Sequence, residues 1–507
     1  MQEELEKQIL DKSYSLKKNL VKNTFFNLLT SVIGRIGGLV FTILIARLLQ
    51  PELFGVYSLA TSVMLILLTF ADLGINATAV RYLSSALVKN NKKAASYFRY
   101  LFKLKFILTT VFSLILLIIA YPLSYWIFNQ QQLFYPLLLC SIYMFFLSFI
   151  GFYEAGFYSL QKVNYLSLKE TIWQISRIIL AVLGAYLIAD KVLGVLGGII
   201  ISLIIALSFL LFLYKKHYPF LFQKTEEIEK KEKKRILNFM FFLTIGSITG
   251  AFFAYIDIVM LGFFVKPEFI GYYKAAFTIV VSVASLITIT NVLLPVFTQL
   301  KGQRLEHIFN KVFKYSALLS FPAAFGLALI AQPFINVIYG ESYLPASIIL
   351  YLVSFLIIEF STGSMFSWLF VAKEKPQIPV KILIIATLMN ILLNYVLITS
   401  LINIGEIYAV LGAGVATVIS RYFNFFALVR AARKKLNIKL MKGSIVKPLI
   451  ASIIMAIALI IFKDLTKLIW PKSIIEIVFA AAVYFIVLFM IKGIEKKDFE
   501  LISLLKK

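Results

Sequence analysis

The chain has 507 residues, 61% of them hydrophobic, with a mean hydropathy of +0.90 and a formal net charge of +26. An apolar share well above one half excludes an ordinary soluble enzyme or binding module. The charge does not mark a nucleic-acid partner either, because nearly all of the 51 Lys and Arg residues fall in alternate loops, the pattern of a membrane topology.

Residues 1–22 are charged and read as a cytoplasmic surface helix; the apolar run that follows is too long for a cleavable signal peptide. Apolar runs of the roughly 20 residues needed to cross a bilayer then recur almost without a gap, about fourteen in all. Their approximate cores are 24–49, 55–80, 102–121, 133–158, 168–189, 193–214 and 237–264, then 270–297, 312–338, 346–371, 380–402, 409–429, 446–462 and 473–491. Spans one to six form an N-lobe (23–214), 215–236 a basic cytoplasmic linker, and spans seven to twelve a C-lobe (237–430). The last two spans and a cytoplasmic tail occupy 431–507. The positive-inside rule places both termini in the cytoplasm of a multi-pass cell-membrane protein.

The halves are related. Pro51-Glu52-Leu53-Phe54-Gly55-Val56-Tyr57, ending three residues before Ala60, recurs as Pro267-Glu268-Phe269-Ile270-Gly271-Tyr272-Tyr273 with Ala276. Val195-Leu196-Gly197 entering the sixth span recurs as Val410-Leu411-Gly412 entering the twelfth. The expected fold is an all-α polytopic membrane protein, with two six-helix lobes related by a pseudo-two-fold axis along the membrane normal and two extra C-terminal helices. Both copies of the longer motif fall in outward turns, as helical-hairpin corners.

Polar residues at mid-depth are costly in lipid and need a partner or a solvated cavity. In the first span Asn27, Ser31, Arg35, Gly38 and Thr42 share a helix face, and in the fifth Glu170, Gln174 and Arg177 do the same. Glu154, Tyr158 and Gln161 line the inner end of the fourth span, and Asp72 lies in the second. Two readings stand open: Arg35 with Asp72, or Arg177 with Glu170, as buried packing pairs, or at least one arginine reaching a cavity. The second half instead carries Asp257 in the seventh span, Thr387, Asn390 and Asn394 on one face of the eleventh, and Thr417 in the twelfth. One carboxylate among amide and hydroxyl oxygens suits a small hard cation or a proton; ordinary interhelical hydrogen bonding is the alternative. Glu359, Arg421, Ser282, Ser285 and Asn291 are further candidates.

Cys140 is the single cysteine, and His217 and His307 fall in loops without a ligand cluster, so no catalytic or transition-metal site and no cofactor is expected. No P-loop sequence occurs. A secondary transporter, not an enzyme, fits this pattern.

Arg47-Leu48-Leu49-Gln50-Pro51-Glu52-Leu53-Phe54-Gly55-Val56-Tyr57-Ser58-Leu59-Ala60, followed by Ala71-Asp72-Leu73-Gly74, resembles the amino-terminal signature of polysaccharide flippases of the multidrug, oligosaccharidyl-lipid and polysaccharide exporter superfamily. Tyr339-Gly340-Glu341-Ser342-Tyr343, Asn390-Ile391-Leu392-Leu393-Asn394 and Leu411-Gly412-Ala413-Gly414-Val415-Ala416-Thr417 extend the resemblance over essentially the whole chain. It implies alternating access and a polyprenyl-diphosphate-linked oligosaccharide as substrate, moved for cell-surface polysaccharide or glycan synthesis. Arg35 and Arg177 would then be the main diphosphate contacts with Arg421 a third, and Asp72 and Glu170 would complete the substrate site, since guanidinium suits phosphate oxygens.

In the related lipid II flippases an aspartate on the seventh span, a polar pair on the eleventh and a threonine on the twelfth hold sodium. Asp257, Asn390, Asn394 and Thr417 match those places, with Asn394 standing where the relative has an acid. Na+ or H+ is the candidate coupling ion. Expected partners are the lipid-linked oligosaccharide, membrane lipids and glycan-assembly proteins, with the chain acting as a monomer. The competing functions are a drug or organic-cation antiporter of the same superfamily and a membrane-bound polysaccharide polymerase.

Overall fold

The computed structural model describes residues 2–87, 91–222, 227–288, 293–465 and 472–494, and all regular structure among them is helical. In chain order the helices are α1 (Gln2–Asp72), α2 (Ile75–Leu87), α3 (Asn91–Pro122), α4 (Phe134–Ser159), α5 (Val163–Leu187) and α6 (Lys191–His217). There follow α7 (Lys230–Phe264), α8 (Pro267–Ile287), α9 (Leu293–Gln299), α10 (Gly302–Leu329), α11 (Ala331–Tyr339) and α12 (Ala346–Val353). The chain continues as α13 (Leu356–Ala372), α14 (Gln377–Leu401), α15 (Glu406–Leu436), α16 (Gly443–Leu465) and α17 (Lys472–Met490).

The chain is an all-α polytopic membrane protein. Among the described residues 11 helical segments are long and apolar enough to cross a bilayer, or 12 if α12 and α13, bent by 43°, count as one span. This count differs from fourteen at two places. The predicted first and second spans lie in one continuous segment, Asn23–Leu87, and the last counts only over its described stretch, Ile475–Met490. Within α1 the helical path breaks at Gln50 (φ 62°, ψ 169°). Pro51 causes this break, because its ring excludes the helical conformation from the residue before it and it brings no N–H.

The chain packs as two compact units, one of Met1–Leu49 with Val56–Val259, the other of Gln50–Gly55 with Met260–Lys507. The boundary thus follows Val259, whereas the internal repeat places the change of lobe in the basic linker.

In the first unit the core is aromatic: Phe98 and Phe102 of α3 pack on Phe152 and Tyr153 of α4, and Tyr214 of α6 closes the group by donating to the Tyr153 carbonyl at 2.9 Å. Most of α7 belongs here. Its Phe239 lies under the Arg81 guanidinium at 4.2 Å, and Glu232 accepts from Lys93 at 2.6 Å and from the Tyr97 hydroxyl at 3.3 Å. α6 starts at Asp190, whose carboxylate accepts from the backbone N–H groups of Val192 (2.9 Å) and Leu193 (3.1 Å). Removing this cap leaves two helix-end donors unsatisfied, so Asp190→Ala should cost about 1 kcal/mol. A small drop in the unfolding midpoint in detergent, with transport retained, is the expected result.

In the second unit Phe297, Phe309, Phe313, Phe366 and Phe425 form a buried cluster joining α9, α10, α13 and α15. The Tyr484 hydroxyl of α17 donates to the Leu318 carbonyl of α10 at 2.8 Å, fixing the last helix. Lys373, just past α13, donates to the carbonyls of Phe297 (2.7 Å) and Leu300 (2.5 Å). Desolvation, and then the neighbouring Lys301, hold its ammonium below the usual lysine range.

The two copies of the repeated motif also meet in this unit. A Cβ on Gly55 would overlap the Pro267 carbonyl, and one on Gly271 would overlap the Pro51 carbonyl, so backbone touches backbone reciprocally. Tyr343, fully buried, packs edge-on against Phe54 and Tyr272, each with ring centroids at 6.3 Å. Three separate pieces of the sequence signature are therefore one packed corner.

Candidate functional site

α5 carries the polar ladder that its periodicity predicts. Arg177 Nη2 donates to Gln174 Oε1 at 2.5 Å, Gln174 Nε2 donates to Glu170 Oε1 at 2.7 Å, and Lys169 Nζ donates to Glu170 Oε2 at 2.8 Å. Lys169 also pairs with Glu154 of α4. The Arg177 guanidinium is sandwiched between Phe41 (4.1 Å) and Trp173 (4.7 Å), and the Lys169 ammonium lies 5.1 Å from the Trp173 ring centroid. Such contacts stabilise a cation where water is scarce.

α1 makes room for the ladder. A Cβ on Gly34 would stand 3.0 Å from Glu170 Oε1, and one on Gly37 would stand 2.8 Å from the Gln174 side chain. The α1 face against the ladder is thus built on Gly34, Gly37 and Gly38, and it overlaps the predicted polar face only at Gly38. Ser31 and Thr42, from that polar face, donate to carbonyls of their own helix at Asn27 and Gly38. Arg35 is half-buried on α1 and is not among the residues lining the cavity beside the ladder.

That cavity has a volume of about 480 Å³ and is lined by Asp72, Asn76, Lys105, Glu154, Lys169, Glu170 and Trp173, with apolar residues from α1 and α4. Asp72 is paired with Lys105 of α3 at 2.7 Å, and Glu170 with Lys169. One of the two readings open from the sequence pairs Arg35 with Asp72 or Arg177 with Glu170. Lys105 pairs with Asp72 and Lys169 with Glu170, while Arg177 reaches Glu170 through Gln174. Sequence reasoning misses Lys105 and Lys169. Lys105 reads as part of a basic inner loop, yet it stands two residues past Lys103 inside an apolar run, which is the available signal.

Three cations and three carboxylates therefore gather here, each near a partner, as buried charges require. Two buried donors stay unsatisfied: Arg177 Nε and Trp173 Nε1 have no acceptor among the described residues. Such groups cost about 1–3 kcal/mol each unless something accepts from them.

Arg421 belongs to the second unit, 3.7 Å from Glu359 and over the Phe360 ring at 4.2 Å. Asp257 is buried in the first unit, while Asn390, Asn394 and Thr417 are buried in the second. In the second unit Asn390 Nδ2 donates to Ser420 Oγ (3.1 Å), Asn394 Nδ2 to the Asn390 carbonyl (3.0 Å), and Thr417 Oγ1 to the Ala413 carbonyl (3.0 Å). Asn390 Oδ1 is buried without a hydrogen-bond donor among the described residues and is an oxygen of the kind a hard cation takes. Ser285 Oγ donates to the Ser282 carbonyl, and Asn291 lies outside the described residues.

Comparison with known proteins bears on this arrangement. The chain is 24% identical over 334 residues to a membrane protein in the cps region of Klebsiella pneumoniae, covering 65% of this chain and 66% of the relative. It is 24% identical over 241 residues to the probable low-salt glycan biosynthesis flippase Agl15 of Haloferax volcanii, covering 46% of this chain and 49% of the relative. The chain thus spans about half to two thirds of these curated relatives' lengths. Among solved structures, the lipid II flippase MurJ in an inward closed conformation superposes with a TM-score of 0.71 at 17% identity, covering 92% of this chain and 98% of that one, which establishes a shared fold. Residues 20–301, more than half of the chain, match the family described as "Polysaccharide biosynthesis protein", and the chain belongs to that family.

Proposed function

We propose that the protein is a flippase that moves a polyprenyl-diphosphate-linked oligosaccharide across the cell membrane by alternating access, for cell-surface polysaccharide or glycan synthesis. The observation that carries this reading is the pair of unsatisfied buried donors, Arg177 Nε and Trp173 Nε1, on one polar ladder whose Trp173 lines a cavity that also holds two lysines. Phosphate and sugar oxygens are acceptors that would satisfy them. An organic cation offers no such acceptor. A membrane polymerase is a weaker reading, because the buried carboxylates here are each engaged by a lysine.

Family membership and the fold support the same reading. Coupling to Na+ or H+ belongs to it, as do cytoplasmic termini, a monomeric protein and glycan-assembly partners. Sodium dependence of transport should vanish in Asp257→Asn while the protein still inserts in the membrane; a sodium response retained in that variant would remove Asp257 from the coupling scheme.

The direct test is translocation of labelled polyprenyl-diphosphate sugars in reconstituted vesicles. The parent should move them, and Arg177→Ala should lose roughly tenfold or more of the rate, the weight of a charge-assisted hydrogen bond, while inserting normally. A parent protein that moved an organic cation and left lipid-linked sugars in place would reverse the assignment.

A further inference from the structure

We propose that Lys105 and Lys169 are the receptor for the diphosphate group in this cavity, and that Asp72 and Glu154 are built-in counter-ions which the entering anion displaces. The inference rests on the flippase reading for the identity of the anion, and on geometry for its site.

The two ion pairs are built alike. The Lys105 side chain is 1% exposed and its partner Asp72 23%; the Lys169 side chain is 2% exposed and its partner Glu154 30%. In each pair the lysine is sealed in and the carboxylate stands toward open space. An ammonium so deeply placed cannot leave, whereas a carboxylate with a third or a quarter of its surface exposed can turn to water at little cost. Glu170 is different. It is 9% exposed, it accepts from both Lys169 and Gln174, and Gly34 lies against its Oε1, so it is fixed and keeps Lys169 positioned throughout.

Charge balance gives the displacement its purpose. Lys105 and Lys169 line the cavity with Asp72, Glu154 and Glu170; Arg177 is joined to Glu170 through Gln174, and half-buried Arg35 lies on α1. A dianion added to this set would leave an uncompensated charge in a poorly solvated site. If Asp72 and Glu154 swing out, two ammonium groups become available to two phosphates, and lysine binds phosphate well as a point charge. The carboxylates meanwhile keep the lysines charged and satisfied between turnovers. They also compete with the substrate, so the site can release what it binds.

Competition has a sign that a mere lining residue lacks: neutralising the counter-ion should strengthen binding. The experiment is titration of purified protein in detergent with inorganic pyrophosphate. Glu154→Gln and Asp72→Asn should each bind it roughly tenfold more tightly than the parent, while Lys105→Met should lose binding. The two carboxylate variants report on different lysines, so either one alone keeps the test alive if the other folds poorly; Glu154→Asp, which keeps the charge, should retain parental affinity. Unchanged or weaker binding in a carboxylate variant with a parental melting temperature overturns the receptor.

A free diphosphate and the diphosphate of a lipid carrier present the same group, and vesicle translocation separates them. Parent protein that flips lipid-linked sugar while the variants fail to tighten pyrophosphate overturns the receptor and leaves the flippase standing. Tightened pyrophosphate binding without flipping by the parent does the reverse, and makes the site one for a free anion.

Discussion

Gly55→Val should be strongly destabilising, and Gly271→Val should be the same. At both positions the group that a side chain would strike is a backbone carbonyl, Pro267 for Gly55 and Pro51 for Gly271, and a carbonyl in a packed corner cannot rotate out of the way. Overpacking that side chains can relieve costs typically 1–3 kcal/mol. Here relief requires the two corners to separate, which also strips Tyr343 from its packing on Phe54 and Tyr272, so a cost of about 3 kcal/mol or more is expected. That is a large part of the 5–15 kcal/mol typical of a folded domain. Unfolding in detergent measures it. The double variant supplies the sharper check: once one substitution has pushed the corners apart, the second finds space already made, so the double should cost clearly less than the sum. Strict additivity would mean that the two contacts are independent.

The second large effect belongs to Lys169. Lys169→Met leaves Glu154 and Glu170 facing a methyl group where an ammonium had held them both. Removing one partner of a buried ion pair costs about 3–5 kcal/mol, and the charge stranded here is Glu170, 9% exposed, whereas Glu154 can turn to water. The variant should be markedly less stable. Adding Glu170→Gln should recover much of the loss, since a neutral amide then faces Gln174 in place of a stranded carboxylate. A Lys169→Met protein that melts with the parent would show that the carboxylates find water or another cation without it. The rescue separates stability from transport: a double variant restored in melting temperature but still slow in the vesicle assay places Lys169 in the substrate path as well as in the packing.

The spans can be read from apolar run length, and the helix break at Gln50 from the proline that follows it, because both are local consequences of residue type. The face shared by Glu170, Gln174 and Arg177 is equally legible from helical periodicity. Partnership is not. Which cation meets Asp72 depends on how α1 packs on α3, and Lys105 cannot be told from its neighbour Lys103 by composition alone. The unit boundary is hidden for a related reason. A sequence repeat records where the halves resemble each other, whereas compactness records what touches what, and Glu232, Phe239 and Phe252 bring α7 onto the first unit. The unsatisfied donors of Arg177 and Trp173 belong to the same category, since an atom is unsatisfied only in a given packing.

The corner formed by Gly55 and Gly271 has a further consequence for how such a chain can change over generations. Each copy of the motif contacts the other through the same residues, which is the isologous geometry of a two-fold homodimer, here realised within one polypeptide. In an interface of that kind each copy is the other's partner, so a substitution in either one disturbs both. The shared Pro-Glu-x-x-Gly-x-Tyr is thereby held to a common form, while the interior positions, which have no such reciprocal contact, were free to become lysines and arginines in one half and amides in the other.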